Sequence, residues 1–318
     1  MLRNIKWIAL LTFALGYVVS TATAKPEESS HATDGATQNL GFLRPVYEST
    51  VADHKKSARW KVADIDSAMP VSFTGIRPNV INRASSLNRV FDVLCRSGRP
   101  LRVLQIGDSH VAGGNYPKAV RSTLENAWGK AENDSIGSGI SFSYMGRNGA
   151  TTQWFANREK INEIAAKCPD LIILSFGTNE CHGMGYREEL HRIQLEDFHE
   201  MLSTACPDAI IMITTPPGDY LTTRRVIRSR SGRRIVRSVS RINPMSVRCA
   251  AELESFGTAH GLAVWDLNSI AGGKAAVTNW QGAGMMRPDR IHFTPAGYQL
   301  HGKMLGEAIL KAYNQYMQ

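Results

Sequence analysis

The sequence predicts an α/β protein built on an open, mainly parallel sheet with helices on both faces. Three observations carry this. Beyond about Ala84, short apolar runs alternate with longer amphipathic segments, the pattern of βαβ units. Hydrophobic residues make up 43% of the chain, ample for a sizeable core in one large domain or two small ones. No transmembrane pattern follows residue 24.

The first residues read as an address. Arg3 and Lys6 precede an apolar run from Trp7 to Val19 that ends in Ala22-Thr23-Ala24, the form of a cleavable secretory signal. The run is shorter than the roughly 20 residues that span a bilayer, so residues 1–24 are expected to be removed and no stable membrane anchor is expected. The chain is therefore read as exported, either periplasmic or secreted. Residues 25–83 form a spacer and lead-in, polar at first, with Glu27, Glu28, Ser29 and Ser30 in series. Residues 84–318 form the main domain.

Strands are predicted over residues 101–106, 140–145, 171–176, 210–215 and 262–267. Helices are predicted over 117–128, 186–205, 244–260 and 295–316, where apolar residues recur every three or four positions. Thr294 can cap the last helix and Pro295 suits its first turn. In such a sheet the active site is expected at the carboxyl ends of the strands.

Four motifs fall there. Gly107-Asp108-Ser109-His110 follows the first strand, where a turn would expose Ser109 as a nucleophile. Asn148-Gly149-Ala150-Thr151 follows the second, and Gly149 would let its N–H approach an oxyanion, with Gly146 as the alternative. Gly177-Thr178-Asn179-Glu180 follows the third, and the Asn179 amide could donate to the same oxyanion. Asp289-Arg290-Ile291-His292 precedes the last helix, so one loop could present His292 to the serine while Asp289 orients the imidazole. Each motif alone also fits an ordinary turn or cap; four in this order at strand ends point to catalysis.

Eight arginines, at 224, 225, 228, 230, 233, 234, 237 and 241, crowd one segment of a chain whose net charge is +9. They read as a hairpin with arms near 225–228 and 234–237 turning at Ser231-Gly232. It is either a solvated surface feature or a basic patch that attracts an anionic cell-wall polymer. Nucleic acid is not expected for an exported chain. His182, His191, His199 and Cys181 match no metal-ligand spacing, so no metal and no other cofactor are expected. Cys168-Pro169-Asp170 and Cys206-Pro207-Asp208 precede neighbouring strands in matching contexts, which fits either a Cys168–Cys206 disulfide or two inert thiols.

The four blocks resemble the signature blocks of the SGNH (GDSL-type) hydrolases over about residues 101–302. That resemblance implies a flavodoxin-like α/β/α sandwich with a five-stranded, mainly parallel sheet. It also implies a triad of Ser109, Asp289 and His292, and an oxyanion hole from the N–H groups of Ser109 and Gly149 and the amide of Asn179. His110 stands where the GDSL pattern has leucine. With the basic hairpin, Trp265-Asp266-Leu267 and the run from Pro288 to Tyr298, it is similar to the bacterial periplasmic peptidoglycan O-acetylesterases. An O-acetylated polysaccharide, peptidoglycan foremost, is thus the expected substrate. A lipase or thioesterase, an acetyltransferase of the same fold, and a non-catalytic cell-wall-binding protein are the alternatives. No G-x-S-x-G elbow surrounds a serine, which disfavours an α/β-hydrolase lipase. The oligomeric state is not legible.

Overall fold

The structure is a computed structural model that describes residues 69–96, 98–183 and 185–318. The expected signal peptide, and the spacer as far as residue 68, lie outside the described residues. In chain order the elements begin with α1 (Asn88–Arg96), β1 (Leu101–Gly107), α2 (Ser109–Ala112), α3 (Asn115–Trp128) and β2 (Ile140–Gly146). Then come α4 (Thr152–Phe155), α5 (Arg158–Ala165), β3 (Leu171–Ser175), α6 (Thr178–Cys181), α7 (Glu188–Ala205) and β4 (Ile210–Thr214). β5 (Tyr220–Arg228) and β6 (Arg234–Ile242) precede α8 (Met245–Ala259), β7 (Ala263–Trp265), α9 (Leu267–Ile270), α10 (Ala276–Gly282) and α11 (Pro295–Tyr316).

Five strands make one parallel sheet in the order β2-β1-β3-β4-β7, while β5 and β6 form a separate antiparallel pair. Alternation along the strands builds two cores. Leu101 and Val103 of β1, with Leu171 and Ile173 of β3, face a cluster that includes Phe91, Val120, Leu124 and Leu305 from α1, α3 and α11. Leu104, Ile106, Ile172 and Leu174 face the other way, onto Ile161, Ile164, Phe198 and Leu202 of α5 and α7. Because both faces are covered, β3 is buried along its whole length and reads as an unbroken apolar run. The result is a three-layer α/β/α sandwich. The lead-in belongs to it from residue 69: Phe73 packs edge-on against Trp280 at 4.9 Å, and Asn79 accepts from Trp265 Nε1 and donates to Met304 O.

Several boundaries differ from those the sequence predicts. The last strand is short, Ala263–Trp265 in place of 262–267, because Asp266 turns out of the sheet to cap α9, accepting from Ser269 N. The hairpin arms are longer than predicted, since Thr, Ser and β-branched residues carry the ladder back to Tyr220 and Ile242. The sequence does not predict α1, α2, α4, α5, α6, α9 or α10, all of which are short, at most nine residues.

The expected Cys168–Cys206 disulfide is not formed: all five cysteines are free thiols. Sequence matching would set Leu171 beside Ala209, but the ladder pairs Leu171 with Ile210, a slip of one residue. Cys168 is exposed with φ of 44°, whereas Cys206 is buried and its thiol is pushed up by burial and by nearby Cys168. Among the described residues no helix is long and apolar enough to cross a membrane.

Candidate active site

β1 ends at Gly107, and the chain turns directly into the four-residue helix α2 that begins with Ser109. Asp108 makes the turn by capping that helix: its side chain accepts from His110 N at 2.8 Å. Ser109 is thereby held, partly exposed, at the carboxyl edge of the sheet. The close fit of this turn is set by β2. A Cβ on Gly146 would stand 2.3 Å from Ala112 N, so only glycine lets β2 end beneath α2.

His292 lies between two partners. Its Nε2 is 2.9 Å from Ser109 Oγ, and its Nδ1 is 3.0 Å from Asp289 Oδ2. The second oxygen of Asp289 accepts from the backbone N–H groups of Ile291 and His292, each at 2.9 Å. Burial alone would raise the Asp289 carboxyl, but these two N–H groups and His292 outweigh it and hold the carboxyl below its ordinary value. The loop is tied at both ends: His292 O accepts from Arg287 N, and Thr294 N donates to Met285 O, both at 2.8 Å. Arg290 takes a left-handed φ of 60° at its tip.

The second and third blocks meet at the same edge. Asn179 Nδ2 donates to Ala150 O at 2.9 Å, which places the amide against the strand end that carries Gly149. An amide nitrogen has two hydrogens, so one remains to donate elsewhere. Gly149 is exposed, with φ of 74°, and a Cβ there would meet nothing within 4 Å. Backbone conformation, not space, thus calls for glycine at 149, and space calls for it at 146.

Sequence reasoning missed the groups that hold this edge together. Glu180 accepts from Thr152 N and from Gly177 N, each at 2.9 Å, locking the second block to the third. Burial pushes its carboxyl up to about 7 and pushes Asp108 likewise to about 7. The position of Glu180, three residues after the helix cap Gly177, is a capping-box signal that could have revealed it. Beneath the site a buried polar row crosses the strands, where Gln105 Nε2 and Thr214 Oγ1 both donate to Ser175 Oγ.

His182, His191 and His199 are dispersed: His182 pairs with Asp219, His191 with the Tyr186 hydroxyl, and His199 packs on His260. Among the described residues no group of three or more His, Cys, Asp or Glu side chains could hold a metal ion.

The arrangement provides a hydroxyl, a base in contact with it, and a carboxylate that orients the base, beside N–H donors. The model of the GDSL-like lipase/acylhydrolase family matches residues 106–300, a stretch that contains all four blocks. Among solved structures the chain is similar to a peptidoglycan O-acetylesterase, with 17% identity and a TM-score of 0.57 over 73% of this chain and 96% of that one. It is similar also to a lipase/acylhydrolase from Enterococcus faecalis, with 19% identity and a TM-score of 0.44 over 66% of this chain and 96% of that one. No curated protein sequence matches. At 17% identity the likeness to the O-acetylesterase structure concerns the fold.

Proposed function

We propose, from the premise that this chain belongs to the GDSL-like lipase/acylhydrolase family, that it is a serine acetylesterase acting on an O-acetylated cell-envelope polysaccharide, foremost peptidoglycan. The observation that carries the reading is the position of His292, in hydrogen-bond reach of both Ser109 and Asp289. The likeness to a peptidoglycan O-acetylesterase supports the choice of substrate.

In this reading His292 Nε2 takes the Ser109 proton while Asp289 keeps Nδ1 protonated and steadies the imidazolium. The alkoxide attacks the ester carbonyl. The tetrahedral oxyanion accepts from the N–H groups of Ser109 and Gly149 and from the remaining Asn179 amide hydrogen. Collapse expels the sugar hydroxyl, which receives its proton from His292. Water, deprotonated by the same nitrogen, then attacks the acetyl-enzyme and releases acetate. No step calls on a cofactor. The protein would work outside the cytoplasm, in the periplasm or beyond, as the leading segment suggests.

The test is acetate release from O-acetylated peptidoglycan by wild type and Ser109→Ala, with short- and long-chain p-nitrophenyl esters as controls. Release that falls by about 10⁴-fold or more in the variant supports the reading. Activity that rises with acyl chain length would replace it with a lipase or thioesterase. Turnover of no ester, with retention on the glycan, would make the protein a binding module.

A further inference from the structure

Beyond its buried root at Tyr220 and Leu221, the β5–β6 hairpin leaves its residues almost wholly in water. All eight arginines are exposed, and no carboxylate occurs between residues 220 and 242. Set against a net charge of +9, these eight side chains account for nearly the whole surplus. Two pairs of them, Arg225 with Arg237 and Arg228 with Arg234, stand directly opposite one another across the ladder. Like charges in that position weaken a hairpin, so the pairing favours a partner that brings anions between them.

Charge is half of the pattern. Of the thirteen large apolar side chains exposed among the described residues, six lie here: Val226, Ile227, Ile235, Val236, Val239 and Ile242. Val226 pairs with Val236 and Ile227 with Ile235, so each face of the outer hairpin carries one aliphatic pair flanked by arginines. A soluble polyanion would match the arginines and leave those four side chains in water. A bilayer interface takes both, with guanidinium groups on lipid phosphates and branched side chains at the boundary with the acyl chains. We infer that the β5–β6 hairpin docks the protein, tip first, on an anionic phospholipid surface. The docking is peripheral and weakens with salt. It does not depend on the proposed substrate.

The root of the hairpin joins this surface to the candidate active site. Tyr220 N donates to Arg290 O at 3.0 Å, and the Arg290 guanidinium lies 5.3 Å from the Tyr220 ring. Arg290 sits between Asp289 and His292, so a hairpin seated on a bilayer by its tip would hold the candidate triad loop off the membrane by the length of its nine-residue arms, roughly 30 Å.

The test is co-sedimentation of the full chain with vesicles of phosphatidylcholine alone and of phosphatidylcholine mixed equally with phosphatidylglycerol. Wild type is expected to sediment with the anionic vesicles only. The double variant Arg225→Gln, Arg237→Gln should bind more weakly by roughly fivefold for each arginine removed. Replacing Val226, Ile227, Ile235 and Val236 together by Thr keeps the strand propensity and should weaken binding by at least about tenfold. Unchanged melting of both variants shows that the body is intact. No sedimentation by the wild type overturns the inference, as does equal binding to neutral vesicles. Undiminished binding by the Thr variant overturns it too, and assigns the arginines to a soluble anionic polymer.

Discussion

His110 Nδ1 lies 3.0 Å from the hydroxyl of Tyr298, a hydrogen bond that joins the turn after β1 to the first turn of α11. The turn after β1 carries Ser109, the loop that carries Asp289 and His292 leads into α11, and the His110 ring centroid is 5.6 Å from that of His292. Burial, with the charge of His292 adding to it, holds His110 down to about 3, so a neutral ring backs His292. Tyr298→Phe would leave a buried imidazole nitrogen without this partner. The expected cost is about 1–3 kcal/mol of unfolding free energy, read from the urea midpoint. An unchanged midpoint would show that Tyr298 does not hold His110.

The two glycines of the second block should respond differently to alanine. At Gly146 a Cβ would press on the backbone of α2, with Ala112 N at 2.3 Å and Ala112 Cα at 2.5 Å, and backbone cannot swing aside. Gly146→Ala should therefore cost about 1–3 kcal/mol and displace Ser109, so stability and ester hydrolysis fall together. At Gly149 the space is open and only the left-handed φ is strained. Gly149→Ala should cost about 1–2 kcal/mol, and melting with p-nitrophenyl acetate turnover on both variants separates the cases. Equal losses at the two sites would refute the packing argument.

Asp108 and Glu180 make stability depend on pH in a direction opposite to the usual carboxylate. Burial, only partly offset by backbone N–H groups, raises both to about 7, against roughly 4 when unfolded. The folded state therefore holds these protons more tightly. Their contribution is full below about pH 4 and is lost as pH rises through about 7. Buried His110, His191 and His301 are lowered by burial and act in the other sense, adding stability as pH rises toward about 6.5. The clean readout is a difference. Asp108→Asn keeps an acceptor for His110 N and removes the titration, so it should gain on wild type by up to about 1.4 kcal/mol per pH unit between pH 5 and 7. A difference in urea-unfolding free energy that stays flat with pH would mean Asp108 is not raised.

The fold was legible because parallel strands covered on both sides must be short and apolar, as Leu171-Ile172-Ile173-Leu174 is, and because α11 announces itself with Thr294 and Pro295. The candidate site was legible as a placement: Ser109 and Asn179 follow β1 and β3, and the loop before α11 brings His292 within 2.9 Å of Ser109. What escaped is what depends on contacts between distant segments. Glu180 reaches Thr152, and His110 reaches Tyr298; neither of these contacts leaves a spacing in the sequence, and only the local Gly177-to-Glu180 capping spacing does. The disulfide failed for a related reason, since matching words at Cys168 and Cys206 do not fix register, and the ladder is slipped by one residue.

Asp219 shows how one buried carboxylate can govern an exposed element. It is 2% exposed at the foot of β5 and accepts from Asn243 Nδ2 at 2.8 Å and Ser246 Oγ at 2.6 Å, both just past the foot of β6, while also pairing with His182. Its backbone carbonyl accepts from Asn243 N at 3.0 Å, so both ends of the hairpin close on this residue. Asn243 in turn donates to Cys181 O, at the end of the helix that carries Asn179. Asp219→Ala would leave two buried donors without their acceptor, at about 1–3 kcal/mol each. The loss should concentrate at the hairpin root, seen as faster amide exchange at residues 219–222 and 241–243 with the β1 and β3 amides still protected. Because the root reaches both Arg290 and Cys181, p-nitrophenyl acetate turnover should fall as well. Full turnover with a loosened root would show that the hairpin and the catalytic edge are mechanically independent.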